Sequence, residues 1–237
     1  VVAAAQPRRT GEGETAGGAG AEAMSRGPYL LPGLRWGARM GDVQATDYML
    51  GILNDPFHRI HMGITAENVA EREGITREMQ DALAVESQQR AARAIAEGRF
   101  QGQIVTVEIA TRKGTVVFDT DEHVRGDATQ QQLAKMKPAF KEGGTVTAGN
   151  ASGINDGAAA VVLATAAAVQ ARGLKPLARL VSHGHAGVDP RLMGLGPVPA
   201  SRIALQRAGL STGQLDVIES NEAFAAQACA VARELGF

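Results

Sequence analysis

What most constrains this chain is the order of segments after Gly143, where small-residue turns, apolar runs and alanine-rich stretches follow one another. The glycine-rich stretch from Ala148 to Gly157 leads into the apolar run Ala158 to Leu163. Ala166 to Arg172 then shows helical spacing and is closed by Gly173. Glycine ends helices readily because it takes the left-handed conformation without a Cβ penalty. Leu177 to Ser182 reads as a strand, and Pro199 to Ala208 as a helix with proline near its first turn and Gly209 at its stop. Leu215 to Ile218 reads as a buried strand, and Glu222 to Leu235 as a helix closed by Gly236. Strand and helix alternating in this way predict an α/β protein with a parallel or mixed core.

The first half is less regular. Residues 7 to 23, PRRTGEGETAGGAGAEA, have no hydrophobic period and read as a flexible loop. Met24 to Phe57 reads as a covering loop, with a helix from Asp42 to Leu53 near its end. Thr65 is placed as an N-cap, with Ile64 and Val69 as a hydrophobic staple, for a short helix ended by Gly74. Thr76 caps a long helix to Glu97, with Gly98 as its stop. Val105, Val107 and Ile109 alternate with polar residues, and Gly114 separates them from Val116-Val117-Phe118, so a hairpin is expected there. The chain does not begin with Met, and its VVAAAQ start before Arg8 and Arg9 reverses the order of a secretory signal; both ends read as cut from a longer chain.

Charge and cysteine usage narrow the function classes. Lys and Arg total 24 against 25 Asp and Glu, so the net charge of -1 provides no field to gather nucleic acid or an anionic membrane. One cysteine, Cys229, excludes an intrachain disulfide framework and points to a reducing, cytoplasmic compartment. The longest apolar run, Ala158 to Val169 with Thr165 inside it, is too short to cross a bilayer. His58 and His61 have metal-like spacing but no third ligand nearby, so no metal is expected; His183 and His185 read as a solvent-facing loop pair.

Two loops have the composition to hold a ligand. Ala148-Gly149-Asn150-Ala151-Ser152-Gly153 can present N–H groups and a hydroxyl, although a plain turn uses the same residues. Ser220-Asn221-Glu222-Ala223-Phe224 follows the run LDVIE. Its amide at Asn221 suits either polarising a carbonyl or capping the next helix. Cys229, inside AAQACAVA, reads as inert packing on a helix.

Taken together, HMGITAENVA, GTVTAGNASGINDGAAAVVL, AGVDPRLMGLGPVPAS and SNEAFAAQACAV resemble the thiolases, the acetyl-CoA acetyltransferases, in the same order and over nearly the whole chain. The resemblance implies a thiolase-like layered α/β fold, here incomplete, with an inserted loop domain. Residues 1–24 and 153–176 would be a remnant of the N-terminal half, 25–152 the CoA-binding loop domain, and 177–237 the start of the C-terminal half. It implies acyl transfer on short-chain 3-ketoacyl-CoA, with the HMG motif tilting towards acetoacetyl-CoA. Coenzyme A enters as substrate, no further cofactor is needed, and the complete enzyme is a homo-oligomer in the cytoplasm.

The same resemblance assigns positions. Asn221 matches the asparagine that holds the oxyanion-hole water. Ser152 matches the serine meeting the pantetheine arm, and His61, Met62, Phe140, Ala148, Met193, Ala223 and Phe224 match the tunnel lining. Arg125 matches the basic residue near the nucleotide end of CoA. The family's CGSG nucleophile motif, its GHP and its CxGGG are absent, and its AGGAESMSR-like segment appears as AGGAGAEAMSR. The resemblance therefore leaves three expectations open: an acyltransferase, a chain that holds CoA without turnover, or an inactive remnant.

Overall fold

The computed structural model describes residues 1–237 and divides them into two compact units. One comprises Val1–Met62, Ile154–Ile218 and Leu235–Phe237; the other comprises Gly63–Gly153 and Glu219–Glu234.

The first unit is built on a two-stranded antiparallel ribbon. Strand β1 (Thr15–Ala23) pairs with β6 (Asp156–Ala164) over nine residues each, from Thr15 opposite Ala164 to Ala23 opposite Asp156. Residues 7 to 23 are thus not the loop that their composition predicts: Val2–Arg9 forms helix α1 and β1 follows it. The sequence offers no period there because TAGGAGAEA is small and mostly exposed, so the ladder to β6 and not side-chain burial defines the strand. At the far end of the ribbon the Asp156 carboxylate accepts from both the N–H (2.9 Å) and the hydroxyl (2.6 Å) of Ser25. Those bonds hold its carboxyl below the usual range. Thr165 ends β6 and caps helix α6 (Ala166–Ala171) by accepting from Ala168 N–H.

The other elements of this unit are short. Strands β2 (Tyr29–Leu30) and β3 (Thr46–Asp47) pair, and Asp47 caps helix α2 (Tyr48–Ile52), the part of the predicted Asp42–Leu53 helix that forms. Helix α7 (Pro197–Ala208) ends at Gly209, whose φ of 69° is left-handed. Leu177 to Ser182 and Leu215 to Ile218 are not strands. Their apolar composition is right, but neither pairs with another segment in a ladder, and every sheet present is a two-stranded antiparallel pair. The predicted parallel or mixed core is therefore not seen as pairing within this chain.

The second unit holds most of the core. Helices α3 (Met62–Glu73), α4 (Arg77–Ala96) and α8 (Ala225–Leu235) carry Ala66, Val69, Ala70, Ala226, Ala230 and Val231, all buried. Apart from Ala5, Ala168 and Val198, every buried apolar residue of the chain belongs to this unit. Helix α3 begins at Met62, three residues before Thr65, which is buried inside it and does not cap it. The cap on α4 is as expected: the Thr76 hydroxyl accepts from Met79 N–H. The hairpin of β4 (Val107–Thr111) and β5 (Gly114–Phe118) is present, and α5 (Gln130–Ala134) is closed by a capping box at Thr129 and Gln132.

Much apolar surface is left uncovered. The chain exposes 17064 Å², against about 10,000 Å² for a folded monomer of its mass. Val162 in the middle of β6 is 81% exposed. No helix is long and apolar enough to cross a membrane.

Candidate functional site

In the second unit, two buried carboxylates organise the glycine-rich loop. Glu67 on α3 is only 4% exposed, and its carboxylate accepts from the N–H groups of Thr145 (2.9 Å) and Val146 (2.8 Å) and from the Thr145 hydroxyl (3.0 Å). Gly144 permits this approach, since a Cβ there would lie 2.3 Å from a Glu67 oxygen. Asp81, one turn into α4 and 2% exposed, accepts from Arg77 Nε at 2.7 Å and from Asn150 Nδ2 at 2.9 Å. Arg77 also donates to the carbonyls of Leu133 and Met136, which lie at the end of α5. Buried charges need this density of partners, because removing them from water costs several kcal/mol per ion.

Asn150 completes the loop. Its Nδ2 also donates to Thr145 O (3.1 Å), and its Oδ1 accepts from Thr147 N–H (2.8 Å). Its backbone carbonyl accepts from Ala225 N–H at 2.9 Å, and two residues on, Ser152 N–H donates to Ala223 O at 3.0 Å. Ala151 and Phe224 thereby form an antiparallel bridge. The two loops singled out from sequence are joined backbone to backbone.

Around this junction the Phe140 ring meets Phe224 edge-on, with centroids 6.2 Å apart. It lies directly over Gly63, where a Cβ would fall 2.3 Å from the ring. Two neighbouring residues of α4 tie down further segments. The Ser87 hydroxyl donates to Glu222 Oε2 at 2.7 Å, and Gln88 Oε1 accepts from Arg125 N–H at 2.7 Å.

Of the residues assigned from sequence, Arg125, Phe140, Ala148, Ser152, Asn221, Ala223 and Phe224 belong to this unit. Ser152, Ala148, Arg125 and Asn221 are exposed, and Phe140, Ala223 and Phe224 are half-buried. Asn221 precedes α8 by four residues and does not cap it, and its amide forms no hydrogen bond within the chain. His61, Met62 and Met193 belong to the other unit. There His61 forms a bridge with Asn54, and burial pushes its imidazole pKa down. Met193 lies in a 3-10 turn that starts at Asp189, whose carboxylate is gripped by the Arg191 guanidinium and held at about 2. The residues missed from sequence are Glu67, Arg77, Asp81, Ser87 and Gln88. The available signal was a pair of acids at positions that face the apolar side of otherwise periodic helices.

Cys229 lies half-buried on α8, with its Sγ 3.9 Å from Met79 O. Desolvation pushes the thiol pKa above its ordinary 9.0 and the Glu222 carboxylate adds to this; the Arg233 guanidinium opposes. This is the reverse of an activated thiolate.

Residues 1–167 match the family model "Thiolase, N-terminal domain" and residues 174–237 match "Thiolase, C-terminal domain". The chain is 63% identical over 237 residues to beta-ketothiolase BktB of Cupriavidus necator and 52% identical over 240 residues to acetyl-CoA acetyltransferase of Escherichia coli. Both alignments cover 100% of this chain but only 60% and 61% of those proteins. Human mitochondrial 3-ketoacyl-CoA thiolase superposes with a TM-score of 0.94 at 43% identity, covering 100% of this chain and 60% of that one. The same human enzyme in complex with CoA gives 0.92 at 42%, covering 100% of this chain and 59% of that one. The chain thus spans about 60% of the length of the relatives it matches.

Two outcomes are expected from this geometry. Glu67→Gln replaces an acceptor-only group by one whose NH₂ must face backbone donors, and it should lower unfolding stability by about 2 to 3 kcal/mol. Urea titration followed by far-UV dichroism checks it, and an unchanged midpoint contradicts the clamp. Alkylation of Cys229 by iodoacetamide should still be accelerating at pH 9, and Arg233→Ala should slow it further; a plateau below pH 8 contradicts the assigned environment.

Proposed function

This chain belongs to the thiolase family and has the thiolase fold, and from that premise we propose that it is part of an acyltransferase acting on short-chain 3-ketoacyl-CoA. The reaction is thiolytic cleavage or its reverse, Claisen condensation of acetyl-CoA. The observation that carries the reading is the backbone junction between Ser152 and Ala223, which brings the NASG and NEAF segments together in one unit.

The chemistry follows from what each group offers. Ser152 presents a hydroxyl beside this junction for the polar amides of a pantetheine arm, and the Arg125 guanidinium is available for the phosphates at the nucleotide end. Phe140 and Phe224 supply apolar wall next to them. The exposed Asn221 amide has no partner within the chain, so it is free to hold a water against a developing enolate or thioester oxygen, where preorganised donors contribute most. Ala148 and Ala223 are tunnel-lining positions of this unit, and His61, Met62 and Met193 carry the same family role in the other unit. The domain division carried by this reading is 1–24 with 153–176, 25–152, and 177–237; the complete enzyme is a cytoplasmic homo-oligomer that needs CoA as substrate and no further cofactor.

A second reading, of a chain that holds CoA without turnover, is favoured by Cys229. Covalent acyl transfer needs a thiolate within reach of a base, whereas the single thiol here is half-buried and pushed towards its neutral form. Titration of the 237-residue chain with CoA in a calorimeter is expected to give saturable binding that Arg125→Glu weakens at least about fivefold. Acetoacetyl-CoA with CoA, followed at the enolate band, is expected to show no loss above a heat-killed control. Absence of CoA binding contradicts the family role assigned to these residues. Turnover with an acetyl adduct on Cys229 contradicts the second reading and makes that thiol the nucleophile.

A further inference from the structure

We propose that Asn150 is a positioning residue that fixes the register between the Asn150–Ser152 segment and the segment leading from Asn221 into α8. The proposal rests on the CoA-binding reading above and adds to it the group that holds two of its parts in place.

Asn150 is 3% exposed, and both ends of its amide are occupied: Nδ2 donates to Asp81 Oδ1 and Thr145 O, and Oδ1 accepts from Thr147 N–H. An amide alone among the side chains of this size can donate twice on one side while accepting on the other. With the side chain locked, its backbone carbonyl is aimed at Ala225 N–H, and two residues on Ser152 N–H meets Ala223 O. The antiparallel bridge at Ala151 and Phe224 has no neighbouring pair to define it, because the chain leaves this pairing after Ser152. A single bridge sets no register of its own, so the register comes from the fixed end. That end is tied through Asp81 to α4, the helix whose Ser87 holds Glu222 beside Asn221. The charged groups facing this amide are Asp81 and Arg77 on α4 and, through Thr145, Glu67 on α3.

Asn150→Asp keeps the shape and replaces the donor by an acceptor, placing two carboxylates where a 2.9 Å hydrogen bond stood. Ionised together at high pH, such a pair repels and is driven apart, and it takes up a shared proton as pH falls. The variant chain at pH 8 should therefore bind CoA at least about tenfold more weakly than the parent chain. Its Ala225 and Ser152 amide proton resonances should also move towards non-hydrogen-bonded values. At pH 5.5 the shared proton restores the donor, and both CoA affinity, relative to the parent at the same pH, and the two resonances should return to within about threefold and to near-parent shifts. The exchanged pair Asp81→Asn with Asn150→Asp should bind CoA more tightly at pH 8 than Asn150→Asp alone, and it serves if the single variant does not fold at that pH. Unmoved Ala225 and Ser152 resonances at pH 8, or a loss that acid and the exchanged pair both fail to relieve, overturn the proposal. A parent chain that does not bind CoA contradicts the functional reading, while the two amide resonances still decide whether Asn150 sets the register.

Discussion

A carboxylate taken out of water must find donors, and Glu67 and Asp81 find theirs in the segment from Thr145 to Asn150. This requirement orders a loop that has almost no apolar anchor of its own beyond Val146. Glu67 grips its start through two backbone N–H groups and a hydroxyl, and Asp81 grips its end through the Asn150 amide. Between these points the loop is closed on itself, and beyond them it runs alongside Ala223 and Phe224. The exposed Ser152 and Asn221 therefore sit on rigid supports although neither is buried. Exposed polar groups on a fixed backbone are what the proposed CoA site requires, since a preorganised backbone lowers the ordering cost of ligand capture.

Periodic helices were readable because burial repeats with their own geometry. The α4 helix begins at the Thr76 cap that its sequence announces, and α7 ends at Gly209. The hairpin around Gly114 was equally plain from alternation. Strand β1 was not, since its glycine and alanine residues carry no alternating burial and its identity comes from a partner more than a hundred residues away. Leu177 to Ser182 and Leu215 to Ile218 failed in the opposite sense: their composition suits a strand, but a strand exists only with a ladder. The motif residues were legible from the resemblance, yet the acids that hold them were not. Glu67 and Asp81 stand on the buried side of their helices, but only the donors of Thr145 to Asn150, distant in sequence, explain why a carboxylate is tolerated there.

The two units differ in how much they bury. The unit of α3, α4 and α8 has a closed apolar core, whereas the β1 and β6 ribbon leaves Val161 and Val162 open to water. A two-stranded ribbon is marginal by itself, and such apolar strands are prone to edge pairing. The residues proposed for the site in the second unit accordingly rest on the better-packed part of the chain.

The loop from Thr145 to Ser152 is part of the helical core and not an independent turn. Native-state hydrogen exchange of the 237-residue chain tests it most directly, through the amides of Thr145, Val146, Thr147, Asn150, Ser152 and Ala225. Membership of the core requires these to exchange together, with the same opening free energy as amides in the middle of α3 and α4. Exchange of the loop amides within seconds, while the helices remain protected, contradicts it.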